Sequence, residues 1–191
     1  MCGRFFVDAK NREIDRLLDM LPADDPFPKT GQIYPTENAL ALLENEKPAS
    51  LSWGFPRYDG KGVVFNARAE TALQKPMFAK SLRERPCVIP TNGFYEWHAP
   101  EKDAPKDKYL FTSPDNPLLY LAGFWNFFGP DAGANPRHFT LLTTAANSAM
   151  LPYHHRMPVL LEARDLPGWL SGSNRAEILA REPFALEVKK V

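Results

Sequence analysis

CVIPTNGFYEW, residues Cys87–Trp97, is the stretch that decides how this chain folds. Two short apolar runs, Cys87–Ile89 and Phe94–Trp97, flank Pro90, Asn92 and Gly93, residue types that interrupt regular structure and favour turns. The runs are too short and too rich in β-branched and aromatic side chains for helices. Read as strands, the second places Phe94, Glu96 and His98 on one face and Tyr95 and Trp97 on the other. Similar runs recur on both sides: Ala39–Leu43, Ala49–Trp53, Gly62–Phe65, Tyr109–Thr112, Leu118–Phe127, Phe139–Thr143 and Met157–Leu161. Phe5–Val7 reads as a further strand near the amino end.

Helical signals are fewer. Ile14, Leu17, Leu18 and Leu21 fall at i, i+3, i+4 and i+7 and predict a helix over Ala9–Leu21. Pro22, Pro26, Pro28 and Pro35 follow and predict an extended linker. Arg68–Leu73, Pro76–Arg83, Ala146–Met150 and two segments after Glu162 read as short helices, and Gly129–Asn135 as a surface loop. Many strands with few long helices predict an α+β fold: a curved, partly barrel-like antiparallel β-sheet with short peripheral helices.

The chain has 191 residues, 44% hydrophobic and 24% charged, which suits one domain over 1–191 with a substantial core. No apolar run reaches membrane-spanning length, and the amino end lacks a secretory signal pattern, so no membrane association and a cytoplasmic location are expected. The two cysteines, Cys2 and Cys87, show no metal-ligand spacing and no disulfide framework, as expected in a reducing compartment. The net charge is zero, but it is unevenly placed. Arg57 to Arg85 holds seven basic residues and three acidic ones, enough to hold a polyanion locally or simply to form a solvated surface.

Four segments carry candidate chemistry. Cys2 stands directly after the initiator methionine; once Met1 is removed, an α-amine and a thiol lie on adjacent carbons. Arg4 is a cationic neighbour that favours thiolate; the plainer reading of Cys2 is a small buried hydrophobe. In Asn66-Ala67-Arg68-Ala69-Glu70, a strand ends and a helix starts. Asn66 either caps that helix or projects into a cleft, Arg68 offers a forked phosphate donor, and Glu70 either orients Arg68 or complements the helix dipole. Glu96, flanked by Phe94, Tyr95 and Trp97, is either a general acid/base raised by burial or an edge carboxylate paired with an arginine. His154 and His155 precede a strand, where alternation would send them to opposite sides; one of them is a natural proton carrier near neutral pH.

Taken together, Met1-Cys2-Gly3-Arg4, Trp53-Gly54, Asn66-Ala67-Arg68-x-Glu70-Thr71, Pro90-x-x-Gly93-Phe94-Tyr95-Glu96-Trp97, Ala122-Gly123-Phe124-Trp125, Thr143-Thr144-Ala145-x-Asn147 and His154-x-Arg156-Met157-Pro158 resemble the SOS-response-associated peptidase family of abasic-site processing proteins. The match runs from residue 2 to about Leu170. The resemblance implies that Cys2, freed of Met1, attacks the aldehyde of an abasic site in single-stranded DNA. It implies active-site roles for Asn66, Glu96 and His154, and phosphate contacts for Arg4 and Arg68. The product is a protein–DNA crosslink that shields the lesion, with Met1 removal as the associated peptidase step and strand cleavage as a lyase-type side reaction. No metal or organic cofactor is needed. A monomer is the default, with the replication machinery a compatible partner and the nucleoid the place of action on DNA. Many relatives carry a tryptophan pair in the loop that here reads Phe55–Gly62; Arg57 and Tyr58 are the residues available to contact DNA there.

The chemistry of the 1,2-aminothiol is consistent with that role. An α-amine of pKa about 7.7–8.0 is roughly a quarter unprotonated near neutral pH, against about one part in a thousand for a lysine. It forms an imine with the aldehyde, and the thiol closes it to a thiazolidine, which a serine cannot do. Two other classes share parts of the pattern. An N-terminal-nucleophile amidotransferase also begins Met-Cys-Gly and would use Asn92-Gly93 as an oxyanion-hole pair. A non-catalytic single-stranded DNA-binding module would bind without Cys2.

Overall fold

The Cys87–Trp97 stretch is two strands, and they belong to different sheets. The computed structural model describes residues 2–99, 104–129 and 135–191. Its first half contains β1 (Phe5–Val7), α1 (Arg12–Asp19), β2 (Gly31–Ile33), β3 (Asn38–Leu42), β4 (Pro48–Trp53), β5 (Phe55–Pro56), β6 (Val63–Val64), β7 (Asn66–Arg68), α2 (Ala69–Ala72) and α3 (Pro76–Glu84). Then follow β8 (Pro86–Thr91), β9 (Gly93–His98), β10 (Asp107–Thr112), β11 (Leu119–Phe127), β12 (Arg137–Ala145), β13 (Arg156–Pro158), β14 (Leu160–Leu161), α4 (Leu166–Ser171), α5 (Arg175–Ala180) and β15 (Glu187–Lys190).

β12, β4, β3, β8 and β11 pair in that order, and β11 pairs back to β12, so five strands close into a ring. β13, β14 and β7 attach to its rim. A second sheet, ordered β15-β10-β9-β1-β2, is antiparallel throughout. The α+β, partly barrel-like reading holds, with two parallel contacts, β12–β4 and β12–β7, that alternation alone does not reveal. The core between the sheets is aromatic: Phe5 lies 4.9 Å from Trp53, and Phe94 stacks on Phe111 at 5.2 Å.

The pivot from ring to sheet is Thr91-Asn92-Gly93. Thr91 Oγ1 donates to the Phe6 carbonyl at 2.6 Å. Asn92 accepts from Asp8 N at 2.7 Å and donates to the Pro117 carbonyl at 2.9 Å. A Cβ on Gly93 would stand 2.6 Å from the Phe111 carbonyl oxygen, so only glycine lets β9 pack this close to β10. Both ends of the Asn92 amide are thus engaged in fixing the turn.

Several local expectations change. The first helix spans Arg12–Asp19, shorter than the apolar period suggests, because Asn11 caps it by accepting from Glu13 N and Ile14 N. Within the proline-rich linker, Gly31–Ile33 forms a strand on β1, a three-residue element too short to show a period. β15 is likewise polar in sequence and forms through backbone pairing with β10 and a Lys190–Asp107 ion pair. Ala146–Met150 is a set of turns, not a helix. Asn147 Oδ1 takes the Met150 N–H at 3.0 Å and its Nδ2 donates to the Phe184 carbonyl at 2.9 Å, satisfying backbone groups that a helix would otherwise use. Residues 130–134 of the expected Gly129–Asn135 loop lie outside the described residues, while Asn135 is buried and donates to the Ser50 carbonyl at 3.0 Å.

Candidate functional site

β1 lies next to the edge strand β2 in its sheet and brings the amino end into the protein. It pairs with β2 on one side and β9 on the other, with Phe5 opposite Phe94, and Tyr95 N–H reaches the Arg4 carbonyl at 2.8 Å. The residues just before β1 are thereby drawn toward Glu96, and Cys2 is only 1% exposed. From the other sheet, β7 runs parallel to β12 and presents Asn66, whose Nδ2 donates to the Cys2 carbonyl at 2.8 Å. Asn66 is thus a strand residue; Arg68 occupies the cap position of α2, without a side-chain cap bond. The Asn66 Oδ1 is buried and has no hydrogen-bond partner among the described residues, an open acceptor beside residue 2.

Glu96 is 7% exposed and sits opposite Tyr109 in the β9–β10 register. Its charge acts on both neighbours: it raises the pKa of Cys2 and opposes the lowering at His154. His154 lies in the turn before β13, where its Nδ1 sits 2.9 Å from the Arg156 N–H and 3.1 Å from the Arg156 carbonyl oxygen. Burial is the main cause of its lowered pKa. His154 and His155 do not diverge. Their rings stack at 4.4 Å, because both precede the strand and strand alternation does not govern them. Tyr153 packs on Tyr109 at 4.4 Å and Phe111 at 5.4 Å, anchoring the turn that carries His154.

The thiol is not activated by Arg4. Burial, with a further contribution from Glu96, pushes the Cys2 thiol up to about 12, so it is neutral at physiological pH. Arg4 turns to the opposite face of the sheet from Phe5. Its guanidinium lies 4.0 Å from the Tyr34 ring and 4.5 Å from the Trp97 ring, and Nη1 donates to Gln32 Oε1 at 3.2 Å. The same Gln32 oxygen accepts from Lys108 Nζ at 3.0 Å, and that ammonium stands 3.8 Å over Tyr95. Sequence reasoning missed Gln32, Tyr34 and Lys108, which carry no motif and meet Arg4 only through the sheet register.

Glu70 does not orient Arg68. It forms a two-pronged pair with Arg156 at 2.8 and 2.9 Å, and Arg156 also donates to the Thr143 carbonyl at 2.6 Å, tying α2 to the strand that follows His154. Beside Asn66 a groove of about 740 Å³ is walled by Tyr58, Val64, Ala67, Arg68, Thr71 and the start of α3. Tyr58 is 88% exposed on the β5–β6 loop. Arg57, next to it, turns away into a pair with Asp59 at 3.0 and 3.1 Å and does not line the groove. Cys87, on β8 of the ring, is buried, and its thiol and that of Cys2 are both free.

Residue 2 is thus buried at the meeting of a closed β-ring and an antiparallel sheet, bonded by the Asn66 amide and acted on by the Glu96 carboxylate, which also acts on His154. The family model described as SOS response associated peptidase (SRAP) matches residues 1–191, and the chain belongs to that family. Among curated relatives, it is 30% identical over 187 residues to the Bacillus subtilis abasic site processing protein YoaM, covering 91% of this chain and 81% of that one. It is 27% identical over 195 residues to the Escherichia coli abasic site processing protein YedK, covering 94% and 86%. Crystal structures of proteins from Bacteroides thetaiotaomicron (TM-score 0.82, 21% identity, 100% and 92% covered) and Bordetella bronchiseptica (TM-score 0.80, 23% identity, 100% and 99% covered) share the fold. No helix among the described residues is long and apolar enough to cross a membrane.

Proposed function

We propose that this protein processes abasic sites by attaching itself covalently to them in single-stranded DNA through Cys2. The observation that carries this reading is the convergence on residue 2: Asn66 holds its carbonyl at 2.8 Å, while the Glu96 carboxylate acts on both its thiol and His154. Removal of Met1 exposes the Cys2 α-amine. An abasic sugar rests mainly as a closed hemiacetal. Glu96 accepts the anomeric hydroxyl proton while His154 Nε2–H donates to the ring oxygen, opening the sugar to its aldehyde. The amine adds to the carbonyl and water leaves, giving an imine. The Cys2 S–H then adds across the C=N bond: a C–S bond forms, the proton passes to nitrogen, and a thiazolidine closes. Without that closure the imine hydrolyses or proceeds to β-elimination and strand scission.

Arg68 and Tyr58 on the groove side, and Arg4 on the other, hold the strand on either side of the lesion. No base needs to be flipped from single-stranded substrate. The test is incubation of the mature protein with a single-stranded oligonucleotide carrying one abasic site. The expected product survives boiling in detergent and has the summed mass of protein and DNA less one water. Intact DNA gives none. Glutamine hydrolysis with no DNA adduct would overturn this reading in favour of an amidotransferase.

A further inference from the structure

The basic excess between Arg57 and Arg85 is only partly used by the reaction just described. Two of its three acids are occupied locally: Asp59 pairs with Arg57 and Glu70 with Arg156. Lys75, Lys80 and Arg83 are exposed and have no ion pair among the described residues. Lys75, Pro76 and Met77 also form the far wall of the groove that begins at Asn66. Pro76, Lys80 and Arg83 fall at i, i+4 and i+7, one stripe along α3. The opposite face of the helix, Phe78, Ser81 and Leu82, is buried, with Phe78 5.5 Å from Phe124 and 6.2 Å from Phe55. The stripe is therefore mounted rigidly on the β-ring.

We propose that α3 extends the DNA site: the lesion-bearing strand leaves the reacting centre through the Asn66 groove and lays its phosphates along Lys75, Lys80 and Arg83. This rests on the crosslinking reading above. The groove is mainly apolar, walled by Tyr58, Val64, Pro76 and Met77, and suits a sugar or base, while the exposed stripe beyond it is cationic and suits phosphate. The nine residues of α3 span about 13 Å, long enough for a single strand to set more than one phosphate against the stripe. The occupant is one arm of the strand only, since Arg4 faces the other side of the antiparallel sheet, between Tyr34 and Trp97.

The test is the double variant Lys80→Gln, Arg83→Gln, whose exposed glutamines keep helix propensity. Each lost single-strand phosphate contact lowers the salt slope by about 0.7, which is about fivefold in affinity near 0.1 M salt and about 25-fold for both. Abasic oligonucleotides are compared with a long arm on the 5′ side only, on the 3′ side only, or on neither. For one polarity, half-maximal crosslinking should need about 25-fold more variant than wild type, with a salt slope lower by about 1.4. The other polarity and the armless substrate should be unchanged. Equal losses for both polarities, or for neither, would overturn the proposal. If wild type crosslinks nothing, yet the variant still loses that salt slope on an undamaged strand, the α3 track stands and the crosslinking chemistry falls.

Discussion

In the proposed reaction, the order of bond formation at residue 2 is set by two proton affinities, and replacing Cys2 with alanine separates them. Burial pushes the Cys2 thiol up to about 12, so at pH 7.5 it is almost wholly protonated. An α-amine at its ordinary pKa of about 7.7–8.0 is about one-third free at that pH. In the proposed reaction the amine therefore attacks first and the neutral thiol closes afterwards. Alanine at position 2 is small enough for Met1 to be removed, so Cys2→Ala keeps the amine and loses only the closure. With cyanoborohydride present, the variant should trap the abasic strand at a rate close to wild type. Without it, the variant should give no adduct that survives denaturation. Timed quenching on denaturing gels across pH should show the wild-type rate rising through the amine pKa and levelling above about pH 8.5. A rate that keeps climbing tenfold per unit to about pH 10 would mean that thiolate leads, and would refute the order. So would loss of reducible trapping in Cys2→Ala.

Asn66→Ala removes the 2.8 Å bond to the Cys2 carbonyl and should slow adduct formation on the order of 100-fold, while urea midpoints report a stability change of about 1 kcal/mol. A much larger stability loss would make Asn66 a folding residue. Cys2 and Cys87 both have thiol pKa values raised by burial above their ordinary 9.0, so above pH 9 the folded chain holds protons that the unfolded chain releases. Stability should therefore fall as pH rises past 9, by up to about 1.4 kcal/mol per unit for each thiol. Cys87→Ala should flatten that alkaline limb in denaturant titrations; an unchanged slope would place the effect elsewhere.

Sequence pattern carried the strands well where they were long and buried. β4, β8 and β11 are apolar along much of their length because the ring is packed on both sides, and their positions follow from composition alone. It failed where pairing does the work. β2 and β15 are short and half-polar, and they exist because β1 and β10 offer unpaired edges. At the site, residue types were legible and partners were not. On its own segment Asn66 looked more like a helix cap, because a strand–helix junction does not say whether its last polar residue belongs to the strand. Glu70 lay two residues from Arg68, yet it reaches Arg156 across 86 positions of sequence. Arg4 looked like a thiol activator because it is close in sequence, but its guanidinium packs on the Tyr34 and Trp97 rings and donates to Gln32.

Burial of the Cys2 thiol bears on selectivity. A thiolate beside an exposed arginine would react with oxidants, disulfides and alkylating agents as readily as with a damaged sugar. In the proposed reaction, burial keeps the sulfur protonated and leaves the amine as the reactive group. Amines attack few electrophiles in a cell as readily as aldehydes. The imine, once formed, places its carbon within reach of the sulfur, so closure needs no free thiolate: the S–H proton moves to the imine nitrogen, or through His154 or Glu96. In the proposed reaction, burial at 1% exposure and a thiol pushed up to about 12 therefore restrict the sulfur to an electrophile that the protein has already captured.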